Sequence, residues 1–130
     1  WAEVEARLRA QAEAGDGDPF DGCTVPYSDP ETGGPTLPTA NCRAHMLGPG
    51  ETTARHRHTA SAIYFVVRGT GKTEVGDTEL GWGRHDTLCI PNWSWHHHVN
   101  LDADEEALLF SIDDSPMLDK LNLNREERQP

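Results

Sequence analysis

Five histidines at the two ends of one central stretch constrain how this chain can fold. His56 and His58 stand two residues apart at one end, and His96, His97 and His98 form a run at the other. Successive side chains of a β-strand point to opposite faces, so His56 and His58 share a face, as do His96 and His98. Two such strands facing each other in a small barrel would bring several imidazoles together. Zinc, copper, iron and nickel all select imidazole ligands, so the pattern favours a metal site over ordinary strand histidines.

Between and after these histidines, short β-rich runs alternate with Gly, Pro and Asp turns. The strongest covers residues 62–68, which are β-branched and aromatic and end at a glycine. The dipeptide Gly76-Asp77 separates two further runs and predicts a hairpin. The remaining predicted strands are 42–47, 72–75, 78–82, 87–90, 96–100 and 107–112. A series of this kind predicts an all-β sandwich or barrel.

A helical segment precedes the strands. Residues 1–14 carry apolar side chains at every fourth position with charges between them, which predicts a helix that ends near Gly15 and Gly17. The apolar stripe is thin. We therefore interpret residues 1–17 as a helical arm or linker and residues 18–130 as a single domain. The chain begins with Trp rather than Met, which indicates a processed or excised piece.

Two segments lie outside the strand series. Residues 18–41 are rich in Pro, Gly, Asp and Thr and predict an extended loop with one short strand. Residues 116–121 predict a short C-terminal helix, with Ser115 as its cap.

Composition limits the partners and the compartment. The formal net charge of −11 argues against nucleic acid and against anionic membrane surfaces. No apolar run reaches the length of about 18 residues that a membrane-spanning helix needs. The three cysteines are an odd number without a Cys-x-x-Cys pair, which predicts a reducing cytoplasm. Cys89 lies in an apolar run, where we expect it to pack as a small hydrophobe.

The glycine and histidine spacing resembles the two cupin motifs. The first is matched by Gly50, His56, His58 and Gly69, and the second by residues 83–91, His96 and Asn100. Most cupins add a glutamate ligand four or five positions after the histidine pair, where this chain has Ala62 and Ile63. With that departure, residues 56–64 and 91–98 resemble the gentisate 1,2-dioxygenase group, which includes salicylate and 1-hydroxy-2-naphthoate dioxygenases. The resemblance extends to residues 18–22, 32–35, 38–39 and 111–127.

The resemblance implies a fold, a metal and a reaction. It implies a cupin jelly-roll barrel in which His56, His58 and His96 hold Fe(II), with Mn, Ni or Zn as alternatives for the same ligands. It implies a substrate that is an aromatic carboxylic acid with an ortho hydroxyl group, cleaved with O2. Three imidazoles on one side of a metal leave the other side open for both.

Further site residues follow from the same comparison. His98 matches a second histidine of the group and is interpreted as an acid, a base or a substrate contact, with a structural hydrogen bond as the alternative. Trp93 and Trp95 are candidates to wall an aromatic pocket. Arg57 and Arg84 are candidates to bind the substrate carboxylate, although such arginines usually pair with neighbouring acids.

Three other histidines carry no such role in this interpretation. His97 is expected to face outward and to be dispensable. His45 and His85 are expected to be solvated or locally paired.

Tyr64 separates two functional hypotheses. In the catalytic half of two-domain members of the group, an arginine that binds the substrate carboxylate commonly stands at this position. In this chain a tyrosine replaces that arginine. The replacement resembles the second half of such enzymes and implies a second cupin domain or a homo-oligomer as partner. We expect a ring-cleaving dioxygenase domain in which Tyr64 and His98 stand beside the metal. The alternative is a non-catalytic metal-binding cupin that stabilises a partner domain.

Overall fold

The computed structural model describes residues 1–129, which form two antiparallel β-sheets. The strands are β1 Cys23–Tyr27, β2 Asn41–Leu47, β3 His56–His58, β4 Ala62–Arg68, β5 Gly71–Val75, β6 Thr78–Trp82, β7 Thr87–Ile90, β8 His96–Asn100, β9 Ala107–Asp113 and β10 Glu126–Arg128, with helices α1 Ala2–Ala14 and α2 Ser115–Lys120. The first sheet has the order β1-β2-β9-β4-β7 and the second the order β10-β3-β8-β5-β6. This arrangement confirms the predicted all-β jelly roll with two short helices. Within residues 1–129, neither helix is long and apolar enough to cross a bilayer.

The strand bounds predicted from the sequence agree with the structure to within one residue. Gly76 has φ +58° in the predicted hairpin turn between β5 and β6, a backbone conformation that favours glycine. Two details differ. The predicted cap Ser115 is the first residue of α2 and follows Asp114, which makes no side-chain capping bond. Strand β10 has no counterpart in the sequence pattern, because its three residues are all exposed and polar and show no alternation.

The main core lies between the two sheets. In β4, Ala62, Tyr64 and Val66 point inward and are buried, while Ile63 and Phe65 point outward and are exposed. This is the period of two that strand geometry imposes. The other buried members of the core are Leu47, Trp82, Leu88, Ile90, Ala107 and Leu109. The polar site described below lies on the same inner surfaces.

A second core lies between α1 and the outer side of the first sheet. Leu8 is fully buried there against Val25, Met46 and Leu108. The Gln11 side-chain amide donates a hydrogen bond of 2.8 Å to the Thr24 carbonyl and accepts one of 3.0 Å from the Thr24 N–H. The helix is therefore held on the first sheet by apolar packing around Leu8 and by the two hydrogen bonds of Gln11, even though its sequence shows only a thin apolar stripe.

Cys89 does not occupy the position expected for it. The alternation of β7 turns Leu88 and Ile90 inward, so Cys89 points outward and is exposed. Cys23 is buried and Cys42 half-buried, and all three thiols are free.

The packing of α1 gives a stability prediction. Replacing Leu8 by Ala should lower the free energy of unfolding by about 2–5 kcal/mol, because it leaves a cavity in a fully buried cluster. The measurement is urea unfolding followed by circular dichroism. Arg7→Ala, at an exposed position of the same helix, is the matched control and should change stability by less than about 0.5 kcal/mol. Equal stability of the Leu8 variant and the parent protein would show that α1 contributes nothing to the fold.

Candidate metal centre

The pairing of β3 with β8 builds the histidine cluster. His56 and His96 are direct cross-strand partners, and His58 shares the inward face of β3. The ring centroids lie 4.5 Å apart for His56 and His96, 4.9 Å for His58 and His96, and 5.3 Å for His56 and His58. One nitrogen of each ring lies within 4.8 Å of the chosen nitrogens of the other two. A single ion could therefore contact all three imidazoles.

The hydrogen bonds of the three rings determine which nitrogen is available to a metal. Nδ1 of His56 lies 3.2 Å from Glu126 Oε1, Nδ1 of His58 lies 2.7 Å from the Ala60 carbonyl, and Nδ1 of His96 lies 2.9 Å from the Ser94 carbonyl. Carbonyl and carboxylate oxygens accept hydrogen bonds, so each Nδ1 carries the proton and each Nε2 keeps its lone pair. Metal-binding histidines usually donate their other ring N–H in this way, which fixes the orientation of the ring.

Two of these lone pairs have no partner. The Nε2 atoms of His56 and His96 are buried and make no hydrogen bond within residues 1–129. A buried polar atom without a partner is costly, and a cation between the rings would satisfy both atoms. The donor set therefore fits a metal such as iron, nickel or zinc.

The electrostatics keep His96 in its metal-binding form. Burial is the largest influence on His96 and lowers its pKa to about 3, and the neighbouring His56 and His58 act in the same direction. His96 is therefore neutral at pH 7, and a ligand imidazole must be neutral to bind.

The turn at residues 18–22 closes one side of the cluster. The Phe20 ring stacks on His56 with centroids 5.3 Å apart. The Asp21 carboxylate lies 3.9 Å from His56 Nε2. Gly22 has φ +71°, and a Cβ there would lie 2.6 Å from the Met46 carbonyl, so the turn requires glycine at this position. The sequence patterns do not single out Asp21, because it lies in a loop that shows no period.

His98 lies on the same inward face of β8 as His96, with ring centroids 5.9 Å apart. It points inward, as predicted, and its Nδ1 lies 2.8 Å from Thr73 Oγ1, which accepts a hydrogen bond of 3.0 Å from the Trp82 indole. Its Nε2 is buried without a hydrogen-bond partner in the described part of the chain. The Tyr64 ring packs on it at a centroid distance of 4.8 Å. Burial lowers the pKa of His98 well below its ordinary value and raises the pKa of Tyr64, so both groups are neutral at pH 7.

A cavity of about 350 Å³ opens onto His56 and His58. Tyr64 also lines it. The other walls come from residues that the sequence patterns do not assign to the site, chiefly Asp21, Arg43, His45, Ser111, Arg125 and Glu126. Because inward-facing strand residues two apart share a face, Arg43 and His45 could have been found from the register of β2 once its inward face was known.

The other histidines differ in how well they match their expected places. His45, expected to be solvated or locally paired, is buried. Its Nε2 lies 2.7 Å from Ser111 Oγ, and burial lowers its pKa. His97 lies on the other face of β8 from His96, and its Nε2 lies 3.6 Å from Glu74. His85 stacks on the outward Phe65 ring, with centroids 5.8 Å apart.

The four residues predicted to meet the substrate, Arg57, Arg84, Trp93 and Trp95, are not among the described residues that line the cavity. The Arg57 guanidinium lies over the Trp93 and Trp95 rings, 4.4 and 4.7 Å from their centroids, and forms an ion pair of 2.6 Å with Glu127. This cluster stands on the outer side of β3, because Arg57 alternates with His56 and His58. The Arg84 side chain donates a hydrogen bond of 3.3 Å to the adjacent His85 ring.

Several curated proteins similar to this chain are named 1,2-dioxygenases. It is 48% identical to 5-aminosalicylate 1,2-dioxygenase of Comamonas sp., over 98% of this chain and 34% of that protein. It is 38% identical to the 1-hydroxy-2-naphthoate 1,2-dioxygenase of a Nocardioides strain, over 98% of this chain and 33% of that protein. It is 41% identical to gentisate 1,2-dioxygenase of Haloferax sp., over 97% of this chain and 34% of that protein. The chain thus spans about a third of the length of these relatives.

Solved structures show the same fold. Salicylate 1,2-dioxygenase from Pseudaminobacter salicylatoxidans superposes with a TM-score of 0.87 at 24% identity, over 98% of this chain and 37% of that one. A single-residue variant of that enzyme in complex with gentisate gives a TM-score of 0.88 at 24% identity, over 99% of this chain and 36% of that one. The sequence model of the cupin domain family matches residues 44–113, more than half of the chain. These residues include all three clustered histidines and the strands β3 to β9, and the chain therefore belongs to the cupin domain family.

Proposed function

We propose that this chain supplies a ring-cleaving dioxygenase domain that acts on an ortho-hydroxylated aromatic carboxylic acid of the gentisate type. The observation that carries the proposal is the cluster of three imidazoles whose ligand nitrogens lie close together beside a cavity of about 350 Å³. That volume lies within the range of roughly 300–1,000 Å³ that is typical of small-molecule sites. The named activities of similar proteins supply the reaction class.

The proposed metal is Fe(II), held by His56, His58 and His96. When bound, iron supplies the redox chemistry that allows O2 to react with an aromatic ring. The protein contributes three imidazole ligands, and three Nδ1 hydrogen bonds fix the orientation of their rings. Mn, Ni or Zn could occupy the same ligands, and zinc would not support oxygen chemistry.

His98 and Tyr64 are proposed to face the substrate from the barrel interior. The unpartnered Nε2 of His98 can form a hydrogen bond to a polar group of the substrate or exchange a proton with it. Tyr64 is a buried neutral phenol whose ring packs on His98 and which lines the cavity. A phenol can donate a hydrogen bond but cannot neutralise a carboxylate, so the carboxylate of the substrate needs another partner.

The alternative hypothesis is a non-catalytic cupin that binds a metal and stabilises a partner. The similar proteins favour the enzyme. Both hypotheses give a partner to the buried Nε2 atoms of His56 and His96, each of which costs about 1–3 kcal/mol if it is left unsatisfied.

We further propose that two copies of the chain associate through the outer face of the first sheet. Helix α1 covers only part of that face. Cys42, Ile112, Ile63 and Cys89 form one row across four adjacent strands, and Ile63 and Ile112 remain 46% and 38% exposed. Phe65, 39% exposed, lies beside Phe110 in the next outward row.

The chemistry of this face favours a second copy as its occupant. The residues just named carry no charge, so two chains of net charge −11 could meet there without bringing like charges into contact. Flat apolar sheet faces pack on one another in β-sandwiches. A standard interface contains roughly 20–30 residues from each partner, so the residues just named would form only the centre of a larger contact.

The ligand assignment is tested by metal content. His96→Ala should lose the metal, because it removes one of three ligands, while His97→Ala should retain it, because His97 lies on the other face of the same strand. The measurement is elemental analysis of purified variants after incubation with Fe(II) and desalting under anaerobic conditions. Loss of metal from both variants, or from neither, would contradict the assignment.

Catalysis is tested by oxygen uptake. The iron-loaded chain should consume O2 in the presence of gentisate or salicylate, and His96→Ala should reduce the rate to background. His97→Ala should retain most of the parent rate. An iron-loaded protein that takes up no oxygen with any hydroxylated aromatic acid would favour the non-catalytic alternative.

Association is tested by light scattering coupled to size-exclusion chromatography. The parent chain should elute as a dimer, and Ile63→Asp should shift it to monomer, because a carboxylate in the centre of an apolar interface is costly to desolvate. Leu101→Asp places the same charge at an apolar position 59% exposed but outside this sheet, and should leave the dimer intact. A monomeric parent chain would contradict the second copy as occupant.

A further inference from the structure

The cavity beside the histidine cluster is lined by carboxyl groups, although the proposed substrate is itself a carboxylic acid. Four carboxyl groups of the described residues line it, at Asp21, Asp113, Asp119 and Glu126. An aromatic carboxylic acid is itself an anion at neutral pH, so it would enter a cavity whose wall already carries four carboxyl groups. Such a ligand requires a cationic partner within the cavity, and Arg57 and Arg84 lie elsewhere.

Two arginines of the described part of the chain line the cavity, and they differ in how firmly they are held. Arg125 is exposed and donates a hydrogen bond to the adjacent Asn124 carbonyl. Arg43 is half-buried and stands within β2, which pairs with β1 on one side and β9 on the other. A strand paired on both sides presents a side chain in a more restricted position than a loop does, which is what a binding site requires.

The register of the first sheet places Arg43 in a polar row. Arg43 is the cross-strand partner of Ser111, and Ser111 is in turn the partner of Tyr64. All three line the cavity. Neighbouring strands are about 4.8 Å apart, so the backbones at Arg43 and Tyr64 stand about 10 Å from each other across this row. Arg43, Ser111 and Tyr64 therefore form one continuous polar row along the same wall of the cavity.

Arg43 forms no ion pair with the acids of the cavity among residues 1–129. Within residues 1–129 its guanidinium takes part in neither an ion pair nor a side-chain hydrogen bond, whereas Arg9, Arg57, Arg68 and Arg128 are each paired with glutamates.

Three of the four cavity acids are instead engaged by other groups, and the fourth, Asp21, lies 3.9 Å from His56 Nε2. Asp113 accepts the Ser115 N–H at 2.9 Å, and Asp119 accepts the Asn124 amide at 2.8 Å. Glu126 lies 3.2 Å from His56 Nδ1 and accepts a hydrogen bond of 3.1 Å from Arg128.

We propose that Arg43 binds the carboxylate of the aromatic acid, a role that the neutral Tyr64 cannot fill. This inference rests on the proposed function. The planar guanidinium fork matches a carboxylate with two parallel hydrogen bonds, which a lysine or a neutral donor cannot reproduce. Arg43 thereby determines that the substrate is an acid rather than a neutral phenol.

The test measures binding rather than turnover. Isothermal titration calorimetry of the Fe(II)-loaded chain under anaerobic conditions compares salicylate with salicylamide, which has the same ring and hydroxyl group but no charge. Arg43→Gln should weaken salicylate binding by about 10- to 100-fold, the loss typical of a charge-assisted hydrogen bond pair. Its affinity for salicylamide should stay within about twofold of the parent value, because no carboxylate is involved.

Two control variants, a comparison variant Arg125→Gln and checks of iron loading and folding isolate the effect. Arg57→Gln removes a cation on the outer side of β3 and should leave both affinities unchanged. Arg43→Lys should lie between the parent and Arg43→Gln, because it keeps the charge without the fork. Iron content and thermal melting of each variant show whether it has folded and loaded normally.

The outcomes separate this inference from the proposed function. If the parent binds salicylate and Arg43→Gln binds it equally well, or if only Arg125→Gln weakens binding, the role of Arg43 is wrong and the proposed function stands. If the parent binds neither compound, both are wrong. If binding depends on Arg43 and no oxygen is consumed, the carboxylate site stands and the dioxygenase proposal fails.

Discussion

The cross-strand pair of His56 and His96 is the contact on which the site depends. The two residues are opposite each other where β3 meets β8, and this pairing brings histidines from two distant parts of the chain to the same point. His58 then joins the cluster because residues two apart share one face of a strand. A shift of one residue in the pairing would turn one strand's histidines to the outside and leave no cluster.

The groups that hold the imidazoles come from outside the two histidine strands as well as from near their ends. Backbone carbonyls of Ala60 and Ser94 orient His58 and His96, and both lie within two residues of the histidine that they contact. His56 is different. Its Nδ1 meets Glu126 on β10, its ring stacks on Phe20, and Asp21 faces its Nε2. The edge strand and the turn at residues 18–22 thus converge on a single ligand.

Charge is distributed unevenly between the two sides of β3. The outer side carries Arg57, which is stacked on two tryptophans and paired with Glu127. Its guanidinium therefore already has both aromatic and carboxylate partners. The inner side carries histidines and a cavity with several engaged carboxylates and, among the described residues, the unengaged Arg43. A paired cation on the outer surface contributes to stability, while an unpaired cation on the inner surface is available to a ligand. Arg43 therefore has the environment expected for binding, and Arg57 has that expected for structure.

The sequence by itself determined the features that depend on local order along the chain. Turn residues and the period of two predict the strand bounds, the inward direction of His56, His58, His96 and His98, and the outward direction of Arg57 and His97. The same local rules could not determine which strand ends would surround the cavity. Arg43, Ser111 and Tyr64 are far apart in sequence and meet only through the pairing of β2, β9 and β4. Likewise, the only fully buried side chain of α1 is Leu8, which marks a weak pattern in the sequence, and β10 has no apolar residue to mark it. The ligands could be predicted from strand alternation and motif resemblance, whereas the wall that faces the substrate was decided by long-range strand pairing, which no local pattern encodes.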